Sequence, residues 1–149
     1  MDANPEKEKN KMPKNRRMVT LIAFITIAVG AYYFWWWSSW AIKRHFVDAV
    51  TIGRIASALF PILSGVLLLM FSDLARKFFI FTNLLFAFNI LSNEIALPLV
   101  WSSGDFAHLK KDVFAIAIFT IIFCILSVLY LIRSDVRKEF KWAGTNRLF

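Results

Sequence analysis

The chain has 149 residues, a net charge of +8 and a mean hydropathy of +0.57, with 58% of its residues hydrophobic and 17% aromatic. A soluble domain of this size could hide only part of so much apolar surface in one core. The composition therefore excludes a disordered chain, a disulfide scaffold (Cys124 is the one cysteine) and almost any water-soluble enzyme, and points to the bilayer.

Residues 1–17 are polar, lysine-rich and without a hydrophobic period, which reads as a flexible basic cytoplasmic tail. Four apolar runs follow, at 18–37, 50–71, 78–101 and 113–132, and residues 133–149 form a second basic tail. A helix needs about 20 residues to cross the hydrocarbon layer, and backbone groups in lipid must pair within the segment. The fold class expected is thus all-α, an integral membrane four-helix bundle spanning residues 18–132. Val29, Gly30 and Ala31 would suit signal-peptide cleavage, but the run continues through Tyr32 to Trp37, as an anchor does.

Orientation follows from the basic residues. Lys7, Lys9, Lys11, Lys14, Arg16 and Arg17 precede the first run, Arg76 and Lys77 join the second to the third, and Arg133, Arg137, Lys138, Lys141 and Arg147 follow the fourth. The other two connections hold only Lys43, Arg44, Lys110 and Lys111. The positive-inside rule then places both termini in the cytoplasm, a multi-pass topology in the inner (plasma) membrane. Trp35, Trp36, Trp37 and Trp40 at the end of the first run, and Trp101 at the end of the third, read as outer interface anchors. Ser38–Ala49 is expected to lie along that surface, with Trp40, Ile42 and Phe46 facing lipid.

Small residues predict the packing seams: Thr20, Ala23 and Gly30 in the first span, Gly53, Ser57, Pro61 and Ser64 in the second, and Ala117, Thr120, Cys124 and Ser127 in the fourth. In the third, Thr82, Asn89 and Asn93 share a face with Ser92 alongside. Pro61 lacks a helix donor and predicts a kink.

Two charges fall inside spans, Arg54 and Glu94, at a cost of about 2.5–3.5 kcal/mol each at the bilayer centre. Antiparallel register about the 74–75 hairpin puts Arg54 opposite Ile95, one residue from Glu94, and Ser57 opposite Ser92. An ion pair is the expectation, either as a lock between helices or, with Asn89, Asn93, Ser57 and Ser92, as an outward-opening polar site. His45, Asp48, Asp105 and His108 have no spacing that requires a metal, and no nucleotide-binding, nucleophile or zinc motif occurs, so no metal, cofactor or nucleic-acid partner is expected.

The boundary after the last span reads Tyr130-Leu-Ile-Arg-Ser134-Asp-Val136-Arg137-Lys-Glu-Phe140. It resembles the closing signature of the domain of unknown function 2569 family, small four-span bacterial inner-membrane proteins in which a Tyr is followed by Ser-x-Val-basic-x-x-Phe. Tyr130, Ser134, Val136, Arg137 and Phe140 match; Arg16-Arg17-Met18 stands where many members carry a Gly-rich opening. The resemblance implies an inner-membrane location and no assigned activity. Anchoring accounts for the segment physically, with Phe140 and Trp142 dipping into the interface and the cations at the headgroup layer.

The functional expectation is a non-enzymatic membrane protein acting through lateral contacts with a membrane partner or a second copy. One form is immunity-type protection against a pore-forming toxin. The alternative is a small oligomeric transporter using the Arg54/Glu94 site, although the first span lacks the acidic residue of small multidrug carriers. An enzyme is not expected, because no paired acid–base constellation appears.

Overall fold

The computed structural model describes residues 14–44, 48–96 and 111–145, and every described element is helical. α1 runs Lys14–Arg44, α2 Ala49–Leu68, α3 Asp73–Ile90, followed without a break by a π turn at Leu91–Ala96. α4 is Lys111–Ile132 and α5 Ser134–Thr145. α1 to α4, counting the π turn with α3, are long and apolar enough to cross a membrane. Their outward side chains fit that medium: Phe24, Phe81, Phe119 and Leu126 are each more than half exposed, which water would penalise and lipid would not.

Several boundaries differ from the expectation. α1 takes in the last four residues of the expected tail and passes through Trp37 to Arg44, because no Gly or Pro interrupts 38–44. The expected surface segment is therefore largely a continuation of α1; Trp40 and Ile42 are exposed on it, and Phe46 lies outside the described residues. α3 starts at Asp73 because Ser72 caps it, its Oγ accepting from the Ala75 N–H at 3.1 Å. α2 is capped likewise by Asp48, whose carboxylate accepts from the Thr51 N–H at 2.7 Å. The Thr51 side chain, and then this N–H, hold the exposed Asp48 carboxyl below the usual carboxylate range. The helix runs unbroken across Pro61.

Neighbours in sequence pack against each other, α1 on α2, α2 on α3 and α3 on α4. The α1–α2 contact is backbone to backbone. A Cβ on Gly30 would lie 3.1 Å from the Ala58 carbonyl oxygen, and one on Gly65 would lie 2.9 Å from that of Ala23. The two small-residue pairs, seven apart on each helix, thus face one another in antiparallel register. On α2 the close contact is made at Ala58 and Gly65; of the expected seam, Pro61 and Ser64 are buried, Ser57 is half-buried and Gly53 looks into open space. On α4, Ala117, Thr120, Cys124 and Ser127 are all buried.

The interior has two apolar clusters. One holds Tyr33, Trp37, Ala58, Phe86, Ala87, Ile90, Ala117 and Cys124. The other, at the opposite end, holds Val19, Ile22, Ala23, Leu68, Phe79, Leu131, Val136 and Phe140. α5 belongs to this second cluster. Its Val136 and Phe140, four apart on one face, are buried in protein rather than in the lipid interface. The Phe140 ring stacks on Phe71 at 5.8 Å, and the Arg16 guanidinium lies 5.3 Å from the Phe71 centroid. Phe71, in the α2–α3 turn, has a φ of 52°, an uncommon conformation for a bulky residue, and its ring is held by these two contacts. The start of α1, the α2–α3 turn and α5 therefore share one end of the molecule.

Candidate functional site

At the other end, α1, α2 and the π turn bring together polar side chains of the interior. Arg54 stands in the second turn of α2, with Ser57 one turn deeper. Its Nε and Nη2 both donate to Asn93 Oδ1, at 3.4 and 3.2 Å. Asn93 in turn donates through Nδ2 to the Asn89 carbonyl oxygen at 3.0 Å and to Asn89 Oδ1 at 3.2 Å. This chain of bonds turns the Asn93 oxygen toward the guanidinium. The Ser57 hydroxyl bonds to its own helix, donating to the Arg54 carbonyl at 2.8 Å. Ser92 lies half-buried on the π turn, outside this set of bonds.

Glu94 is not the partner of Arg54. Its Oε1 accepts from Trp37 Nε1 of α1 at 2.9 Å, and among the described residues no ion pair joins Arg54 to any carboxylate. Two features explain the departure. The helices meet two residues out of the expected register, so Arg54 meets Asn93 where Ile95 was expected. The π turn also takes about one extra residue per turn, which rotates Glu94 away from α2 and toward α1.

The aromatic anchors divide. Trp35 and Trp40 are exposed, and Trp36 stacks on Tyr32 at 6.3 Å. Trp37 is 3% exposed and belongs to the interior, in contact with Tyr33 at 5.2 Å and Phe86 at 6.4 Å. Trp101 lies outside the described residues. Tyr33, expected in the interfacial aromatic belt with Tyr32 and the tryptophans, is instead buried; it donates to Thr120 Oγ1 at 3.4 Å and so ties α1 to α4. Beside that bond, where α1 and α4 otherwise stand apart, a lateral cleft of about 370 Å³ is lined by Ile25, Val29, Tyr32, Ile116 and Phe119.

Sequence reasoning also missed Arg76. It was read as an interfacial cation, yet it is 5% exposed. Nε and Nη2 donate to Asp73 Oδ1 at 3.0 and 2.7 Å, and Nη1 donates to the Leu131 carbonyl at 3.1 Å. The readable signal was Asp73 three residues earlier, one helical turn away. Of the family-like positions, Val136 and Phe140 are buried, Ser134 and Arg137 are exposed, and the Tyr130 hydroxyl donates to Asn15 Oδ1 at 3.3 Å.

Compared with known protein families, with curated proteins and with solved structures, the chain matches none of them.

Proposed function

We propose that this is a multi-pass protein of the inner membrane, a four-helix bundle with both termini cytoplasmic, that works without enzymatic chemistry by lateral contact with a membrane partner. The observation that carries the reading is the α1–α4 cleft. It is the loosely closed side of the helix set, it is apolar, and it opens sideways, where a transmembrane helix of a partner or of a second copy would lie. The basic residues support the topology, since Arg16, Arg76 and Arg137 gather at one end and the exposed tryptophans at the other.

The transporter reading has less support. Between the polar groups at the two ends of α3 a transport path would have to pass buried Phe79 and Phe86, and the buried Thr82 hydroxyl and Asn83 amide there are bonded to carbonyls of their own helix. Immunity-type protection against a pore-forming toxin is the concrete form that fits best, because it needs only a rigid intramembrane surface. The proposal also places the chain in the domain of unknown function 2569 family, on Tyr130, Ser134, Val136, Arg137 and Phe140.

The test combines a photocrosslinker at Phe119, in the cleft, with one at Phe81, on exposed α3 surface. The expected result is a single crosslinked membrane protein from position 119 and none from 81. If a toxin gene adjoins this one, expression should protect cells from that toxin, and Phe119→Trp should remove protection at unchanged protein level. Equal crosslinking from both positions would defeat the reading.

A further inference from the structure

Among the described residues Arg54 forms no ion pair, and the carboxylate that acts on it electrostatically, Asp48, is exposed at the α2 cap. Among the described residues its bonds go to a neutral amide, Glu94 is turned to Trp37, and the nearby Asp48 carboxylate is engaged by the Thr51 N–H. An intramembrane guanidinium in that state favours any anion that can reach it. One helical turn deeper, Ser57 and Asn89 form the polar rim of a groove of about 270 Å³ between α2 and α3. The rest of the lining is mostly hydrocarbon and aromatic, with Phe60, Leu85 and Phe88 exposed and Phe86 buried; Thr82, the other polar residue of the lining, is buried and its hydroxyl donates to the Phe78 carbonyl of its own helix at 2.9 Å. The order along the membrane normal is therefore cation, neutral hydrogen-bonding groups, then an apolar trough. A glycerophospholipid presents its groups in that same order.

We infer that Arg54 and the α2–α3 groove bind an anionic glycerophospholipid of the adjacent leaflet, the phosphate on the guanidinium and one acyl chain along the trough. Asn93 holds the guanidinium in place, and Ser57 and Asn89 face the ester region. The inference rests on the membrane-spanning reading above and not on a protein partner.

The test is native mass spectrometry of the full chain in neutral detergent, with phosphatidylglycerol and phosphatidylcholine of matched acyl chains added in turn. One phosphatidylglycerol adduct should survive activation that strips phosphatidylcholine. Arg54→Gln should lose that adduct and lower the preference at least tenfold, while Arg54→Lys retains most of it. Leu85→Trp, which fills the groove, should weaken both lipids. Neutralising Arg133, Arg137 and Lys138 together should leave the adduct, and inorganic phosphate should not displace it. An unchanged preference in Arg54→Gln overturns the inference, as does loss of the adduct on neutralising the other end. Loss of a stable dimer rather than of lipid would assign Arg54 to a protein contact instead. Should Arg54→Gln not fold, undiminished retention of both lipids by Leu85→Trp is decisive against it. An intact adduct alongside a failed Phe119 crosslink would break only the lateral-contact reading.

Discussion

Two arginines in membrane-spanning helices occupy opposite ends of the molecule and opposite states. Arg76 is buried, forked onto Asp73 and bonded to the last turn of α4, so its charge and three of its donors are answered within the chain. Arg54 is half-buried, and among the described residues its hydrogen bonds go to one neutral oxygen. The same side chain is thus a structural clasp at one end and a group with unspent binding capacity at the other. An intramembrane charge becomes a functional candidate by what fails to neutralise it, more than by its depth.

The contrast is broken most directly by removing Arg76. Arg76→Leu leaves Asp73 only its exposed Lys77 partner at 3.1 Å and frees the Leu131 carbonyl, and should cost about 2–4 kcal/mol of stability in detergent. Arg54→Gln should cost under about 1 kcal/mol by the same thermal measurement, since only neutral-acceptor bonds are lost. If the two losses are equal, the contrast fails. Next in size, Gly65→Val drives a side chain into the Ala23 carbonyl and Ile27 and should cost about 1–3 kcal/mol, whereas Gly53→Ala, in open space, should be neutral or slightly stabilising.

A sharper probe of the Arg54 end is the double-mutant cycle. Trp37→Phe with Glu94→Leu should show coupling of about 1 kcal/mol, and Arg54→Gln with Glu94→Leu close to none. The smallest effect concerns the cap of α2. Asp48 has its carboxyl lowered below the ordinary range, so its contribution is complete above the unfolded carboxylate value and disappears as pH falls through the lowered one. Exchange of the Thr51 amide should accelerate in that acidic window beyond its intrinsic trend, and Asp48→Asn should flatten the response.

The spanning helices were legible because composition alone demands them; lipid leaves the backbone no other solution. The α4 seam was legible too, since Ala117, Thr120, Cys124 and Ser127 stand out against large apolar neighbours. α2 was harder, because it carries small residues on adjacent faces and Ala58 gives little contrast in an apolar run. The site residues were singled out from their chemistry, but their pairing was not, because no residue in Leu91–Ala96 announces a π turn and one extra residue redirects everything after it. α5 escaped notice under its charges, although Val136 and Phe140 at a spacing of four were the visible sign of an inward face.

α1 has 31 residues, which at the usual helical rise makes a rod about 46 Å long, well beyond a hydrocarbon layer of roughly 30 Å. Either the rod leans or its last turns, with Trp40 and Lys43, stand proud in the headgroups. The lean is limited by the backbone seam to α2, so bilayer thickness acts on the whole helix pair and not on α1 alone. A thin membrane would lift the Trp35–Trp40 segment toward water and a thick one would draw it in, making tryptophan emission a gauge of the surrounding lipid.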